Sequence, residues 1–159
     1  MWFEKGLRAF FDVHRGKMRI LGLDYGSKTV GVAVTDELGL TAQGVEIIRR
    51  DSPKKLRRTL ARIQELVEQY QVEKIVLGYP VMLSGDEGVR VEKTKEFALL
   101  LEKRTGKEII FQDERLTTVE AYEIMDEVGI KKEERYKYVD QIAATIILED
   151  YMNQSGLKK

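Results

Sequence analysis

Residues 19–36 read RILGLDYGSKTVGVAVTD, and the fold turns on how this run divides. Ile20 to Leu23 show no polar alternation, which is the pattern of a strand buried on both faces. Ser27 and Lys28 mark a tight turn, and Thr29 to Asp36 read as a second strand returning beside the first. Asp24 then stands out, because it closes an apolar strand with a carboxylate. A charge buried there without a partner is costly, so Asp24 must be solvated, paired or bound to a cation.

Outward from this hairpin the pattern stays regular. AQGVEIIRR, residues 42–50, reads as a third strand and completes a meander. Residues 53–70 place Leu56, Leu60, Ile63, Leu66 and Val67 at helical spacing, with Ser52 as the expected N-cap and Pro53 at the first helical position. EKIVLGYP is a short strand ended by Gly-x-Pro, followed by the polar loop VMLSGDEG and a helix over about 89–104. KEIIFQDE is the next strand. A helix over TTVEAYEIMDEV follows, opened by the capping box of Thr117 and Glu120, and YKYVDQIAATIILEDYMN is a long apolar helix. A hairpin meander followed by alternating β and α implies an α/β fold with a mixed sheet flanked by helices.

The chain has 159 residues, 43% hydrophobic and 34% charged, which suits one globular domain with a real core. It contains no cysteine, so a disulfide framework and a thiolate metal site are excluded, in keeping with a reducing cytoplasm. No apolar run approaches the ~20 residues that span a bilayer, so no membrane partner is expected. Twenty-seven basic residues balance 27 acidic ones, which argues against broad non-specific nucleic-acid binding and leaves room for local basic patches. Residues 1–17 differ from the rest, with Trp2, Phe3, Leu7, Phe10 and Phe11 at helical spacing but no secretory h-region. The expected layout is an N-terminal extension over 1–17, one domain over 18–153 and a short tail over 154–159. His14, the only histidine, lies in the extension and is given no role.

Most acidic residues sit on helix faces, but three fall at element ends. Asp24 ends the first strand, Glu114 ends the last, and Asp140 lies on the apolar final helix beside Ala143 and Ala144, whose small side chains allow close approach to a sheet. Each has a plain alternative: Asp24 could accept hydrogen bonds from its turn, Glu114 could pair with Arg115, and Asp140 could pair with Lys137. Asp113 competes with Glu114 for the strand-end position. Ligands of α/β sheets bind at the carboxyl ends of the strands, where these three could converge around a cation. Oxygen ligands without His or Cys select Mg²⁺ or Mn²⁺. Two such ions can align an attacking water and stabilise the leaving oxygen of a phosphodiester.

ILGLDYGSKTVGVAVTD, IVLGYP, DERLTT and VDQIAATIIL resemble, in order and spacing, the motifs of the YqgF family, from Met18 to about Asn153. The resemblance implies an RNase H-like fold with strand order 3-2-1-4-5. The family's members are described as Holliday junction resolvases, or as nucleases that mature the 5′ end of the small-subunit ribosomal RNA precursor. By that resemblance Asp24, Glu114 and Asp140 form the catalytic and metal-binding triad, Glu114 is favoured over Asp113, and the cofactor is Mg²⁺ or Mn²⁺, as two ions. The chain departs from the family pattern at Met82-Leu83-Ser84-Gly85 and at Val89, in a loop expected to border the substrate.

Candidate substrate-binding residues are Lys28 in the turn after Asp24, Arg90, Arg115, and the Lys131, Lys132 and Arg135 cluster before Asp140, which together could supply backbone affinity for nucleic acid. A denser basic run, Arg49, Arg50, Lys54, Lys55, Arg57, Arg58 and Arg62, surrounds the first helix and reads as a binding stripe or a solvated face. Tyr136 and Tyr138 could stack on a base.

Two rivals to the nuclease are a nucleotide-binding domain and a non-catalytic nucleic-acid-binding module. GLDYGSKTVGVAV also resembles the opening of the actin and sugar kinase superfamily, whose members clasp nucleotide between two such lobes, whereas this chain has one. A resolvase cuts two strands symmetrically and is expected to dimerise, while an RNA-trimming enzyme need not, so both a monomer and a homodimer are open.

Overall fold

The computed structural model describes residues 19–80, 88–114 and 117–155, with the backbone alone at Thr117 and Thr118. The extension over 1–17, the loop over 81–87, Arg115 and the C-terminal tail from residue 156 lie outside the described residues. The meander consists of β1 (Arg19–Tyr25), β2 (Thr29–Thr35) and β3 (Ala42–Arg49). It is followed by α1 (Arg57–Gln69), β4 (Val72–Tyr79), α2 (Val89–Thr105), β5 (Glu108–Asp113) and α3 (Thr117–Glu127). A 3₁₀ turn over Lys132–Lys137 then leads into α4 (Val139–Gln154). The five strands form one sheet in the order β3-β2-β1-β4-β5, antiparallel within the meander and parallel from β1 to β4 to β5. This is the expected order.

Alternation along the strands divides the interior in two. Leu21, Leu23, Val30, Val32, Val34, Ile75 and Leu77 face α1 and α2, where Ile63, Leu66, Phe97 and Leu101 are fully buried against them. Ile20, Ala33 and Val76 face α4, packing on Ala144, Ile147, Leu148 and Met152. On this second face the strands carry glycines. A Cβ on Gly22 would sit 2.8 Å from Leu148 Cβ, and one on Gly31 only 1.9 Å from the Asp140 carbonyl oxygen. Glycine inside a strand marks the close approach of another backbone, and here that backbone is α4. Ala144 extends the same fit, its carbonyl oxygen 3.2 Å from where a Gly22 Cβ would stand.

Two boundaries differ from expectation. The first helix starts at Arg57, not Pro53, with Leu56 at its N-cap. The Ser52 carbonyl accepts from Lys55 N–H at 3.1 Å and its Oγ accepts from Lys54 N–H at 3.3 Å, forming a turn. Proline disfavours α geometry in the residue before it, so Ser52-Pro53 makes a turn ahead of the helix. The last helix begins at Val139, because the stretch before it winds as the tighter 3₁₀ turn. The capping box at Thr117 falls on a side chain outside the described ones, and the helix does begin there. Among the described residues, no helix is long and apolar enough to cross a membrane.

Candidate carboxylate centre

Asp24 is the penultimate residue of β1 and lies on the α4 face, two positions after Gly22. Its Cα partner on β2 is Gly31, beneath the first turn of α4. Glu114 directly follows β5, with its N–H donating to the Tyr79 carbonyl at 3.2 Å. β5 lies two strands from β1, so the Glu114 side chain must pass over β4 to reach Asp24. Gly78 opens that passage: a Cβ there would be 2.6 Å from Glu114 Oε2. The two carboxyl groups meet within hydrogen-bonding reach of each other.

The electrostatics follow from this crowding. Burial pushes the Asp24 carboxyl well above the usual carboxylate range, and the charges of Glu114 and Asp140 push it further the same way. Glu114 is also raised, chiefly by burial, with Arg90 opposing. Arg90 Nη2 stands 3.6 Å from Glu114 Oε1. The two acids therefore behave as a proton-sharing pair.

Asp140 opens α4, and Thr29 Oγ1 donates to its Oδ2 at 2.5 Å. Its charge reaches Asp24, while its carboxylate is bonded to Thr29. Among the described residues, no three acidic or histidine side chains stand close enough as they lie to ligate one ion together. The structure thus brings Asp24 and Glu114 into contact and leaves Asp140 beside them. Between the two adjacent strand-end acids, Glu114 turns inward with its side chain 12% exposed, and Asp113 stays exposed.

The expected basic residues separate into groups. Lys28 is exposed at the hairpin tip after Asp24, and Arg90 faces Glu114 from the first turn of α2. Lys131 and Lys132 are exposed on the segment leading to Asp140, as are Tyr136 and Tyr138. Arg135, expected from sequence to bind substrate, pairs with Asp126 and donates from Nε to the Ile130 carbonyl at 3.4 Å. Within the run around α1, Arg62 bonds Glu46 at 2.6 Å and Glu65 at 2.8 Å, while Lys54, Lys55, Arg57 and Arg58 are exposed. Arg50 is buried.

Sequence reasoning missed Thr29, which holds Asp140, and Gly78, which admits Glu114. Thr29 carries no pattern of its own. Gly78 does carry a signal, as a glycine inside an apolar strand aligned with the acid-bearing end of β1.

A five-stranded mixed sheet with acidic residues gathered at the ends of β1 and β5 and at the start of α4 is an RNase H-like arrangement. Its fold is shared with Thermus thermophilus RuvC. A RuvC chain solved "in complex with Holliday junction substrate" superposes with a TM-score of 0.57 at 18% identity, over 90% of this chain and 99% of that one. A second T. thermophilus RuvC structure gives a TM-score of 0.53 at 15% identity, over 87% and 97%. The profile of the RuvX family, described as Holliday junction resolvase, matches residues 18–154, and the chain belongs to that family. It is 62% identical over 136 residues to a protein of Agathobacter rectalis named "Putative pre-16S rRNA nuclease", covering 86% of this chain and 95% of that protein. A Lachnospira eligens protein of the same name is 51% identical over 135 residues, covering 85% and 96%.

Proposed function

We propose that this protein is a divalent-cation-dependent nuclease that hydrolyses phosphodiester bonds of structured nucleic acid, and that its task is maturation of the 5′ end of pre-16S rRNA. The observation that carries the reading is the Asp24–Glu114 pair, built across an intervening strand at Gly78. A fold gains nothing in stability from forcing two buried carboxyls to share a proton, and such pairs gather at functional sites. The relatives named for pre-16S rRNA support the substrate, and work on such a substrate fits the cytoplasm.

The donor set fits a hard divalent cation. Asp24 and Glu114 would hold Mg²⁺ or Mn²⁺ in place of their shared proton, with Asp140 completing the set or serving a second ion. Such a cation, when bound, stabilises negative charge on the phosphoryl oxygens. The chain's own residues do the rest. Thr29 holds the Asp140 carboxylate at the start of α4. Arg90, with its side chain 60% exposed, can turn from Glu114 to a phosphate oxygen. Lys28 adds charge at the hairpin tip.

The family's own description favours a second reading, a Holliday junction resolvase, which would act on four-way DNA and need a homodimer to cut two strands symmetrically. The purified protein should be given Mg²⁺ or Mn²⁺ with a labelled 5′-extended pre-16S rRNA and with a four-way DNA junction, beside Asp24→Asn. Trimming of the RNA, abolished in the variant, is the expected result and is compatible with a monomer. Paired nicks in the junction alone would establish the resolvase. Neither substrate cut, or a variant as active as wild type, would leave a nucleic-acid-binding module without catalysis.

A further inference from the structure

On the opposite face of the same sheet end, one buried charge is left unused by the carboxylate centre. Arg50 directly follows β3, and its backbone N–H donates to the Lys28 carbonyl at 2.9 Å. Its guanidinium lies over the Tyr25 ring, 5.0 Å from the centroid, and Nη2 donates to the Gly26 carbonyl at 2.6 Å. The residue is 9% exposed, and Nε and Nη1 are buried with no hydrogen-bond partner among the described residues. None of the described carboxylates forms an ion pair with it. A buried guanidinium with two unmet donors is costly, and an anion held in an adjoining cleft would offset that cost. Burial also lowers its pKa from the ordinary value, with Tyr25 opposing, yet an arginine remains charged.

Arg50 lines a cleft of about 1040 Å³. Lys54, Arg90 and Lys93 line it as well, and Glu96 is the single carboxylate among the lining residues. Leu56, Val89 and Leu100 add apolar lining. α2 begins after Gly88 with no side-chain cap, and Val89 and Arg90 of its first turn line the cleft. Helix N-termini of this kind favour anions. The Tyr25 ring is stacked on Phe97, centroids 4.0 Å apart and 5° from parallel, with Arg50 also over it. Tyr25 is thus engaged within the fold, and the polar end of the cleft suits a phosphate better than a base.

Arg90 links the two regions, since it lines this cleft and stands 3.6 Å from Glu114. We infer that the Arg50 cleft is a phosphate subsite of the nuclease, binding a backbone phosphate of the substrate strand to one side of the bond that is cut, with the adjoining nucleoside against Leu56 and Leu100. This rests on the carboxylate centre being a nucleic-acid site. It adds a second anchor, at Arg50, on the other face of the sheet.

The test is binding without cleavage. The full chain in EDTA is titrated against a short fluorescent single-stranded RNA at several salt concentrations, as wild type, Arg50→Met and Lys93→Ala. Loss of one phosphate contact should flatten the salt dependence by about 0.7 in log–log slope. Affinity should fall about tenfold in Arg50→Met, a 1.4 kcal/mol change. The melting temperature of Arg50→Met should equal or exceed that of wild type, because two unmet buried donors are gone. Lys93→Ala, on the exposed rim, should move the slope the same way without touching the fold.

Unchanged affinity and slope in both variants would overturn the proposal. So would a fall in melting temperature of Arg50→Met with wild-type binding by Lys93→Ala, which would make Arg50 a structural prop. Adenosine 5′-monophosphate, added at millimolar concentration, separates a strand phosphate from a free nucleotide. If it binds wild type and not Arg50→Met while RNA affinity is unchanged, the site belongs to a free nucleotide and the proposal fails. Because no metal is present, a failure of phosphate binding at Arg50 is distinguishable from a failure of cleavage at the carboxylate centre, and the subsite can fall while the nuclease reading stands.

Discussion

The two faces of the sheet are filled by opposite means. Toward α1 and α2 the strands present Leu, Ile and Val, and α2 answers with the fully buried Phe97 stacked on Tyr25. Toward α4 they present Gly22, Gly31 and Gly78 between their apolar residues, and the helix descends almost onto the strand backbone. The first face maximises buried apolar area. The second gives up side chains to bring Asp140 and Glu114 to Asp24. Stability and chemistry are thus separated across the thickness of one sheet, and substitutions on the two sides should fail differently.

The largest loss of stability belongs to the filled face. Phe97→Ala should cost about 3–5 kcal/mol, read by urea denaturation, through lost burial and the cavity left behind. Any protein that remains folded should keep its carboxylate centre and its kcat, with substrate affinity reduced because the ring beneath Tyr25 and Arg50 is gone.

Gly31→Ala comes next, at up to about 3 kcal/mol, because the new Cβ would meet the backbone of Asp140 and not a movable side chain. Here activity should fall with stability, since α4 can relieve the clash only by carrying Asp140 away.

Gly78→Ala should be milder for the fold, costing about 1 kcal/mol, because its Cβ would meet the ends of two side chains, Glu114 and Ile147. Cleavage should nonetheless drop by at least tenfold as Glu114 is displaced. An active Gly78→Ala would break the comparison.

Much of this was legible in the sequence for definite reasons. The unbroken apolar run from Ile20 to Leu23, its turn and the later β-α alternation are local signals, and the strand order followed from the family resemblance. The strand-end acids were visible because an aspartate ending such a run is conspicuous. Three features were not legible. The start of α1 depended on whether Ser52-Pro53 would cap a helix or make a turn, which spacing alone does not decide. The contact between Asp24 and Glu114 depends on cross-strand register and on the absence of a Cβ at Gly78. The separation of Arg50 from its neighbours depends on which member of a basic run turns toward Tyr25. Arg49 and Arg50 look alike in sequence, yet one is exposed and the other buried.

The most direct test of the central claim is the melting temperature of wild type and Asp24→Asn, each with EDTA and with Mn²⁺, across pH. Because burial and Glu114 raise Asp24 above its ordinary value, the folded metal-free protein binds more protons at the pair than the unfolded chain does. The pair's contribution to stability is therefore full below the ordinary carboxylate range, under about pH 4, and is lost as pH rises through the raised value. Asp24→Asn removes that loss and should melt about 3 °C above wild type at neutral pH in EDTA. Mn²⁺ should raise the melting temperature of wild type at neutral pH, less so near pH 4 where the proton competes, and leave Asp24→Asn unmoved. Equal Mn²⁺ shifts in both proteins, or none in wild type, would contradict the assignment of Asp24 and Glu114 as the cation site.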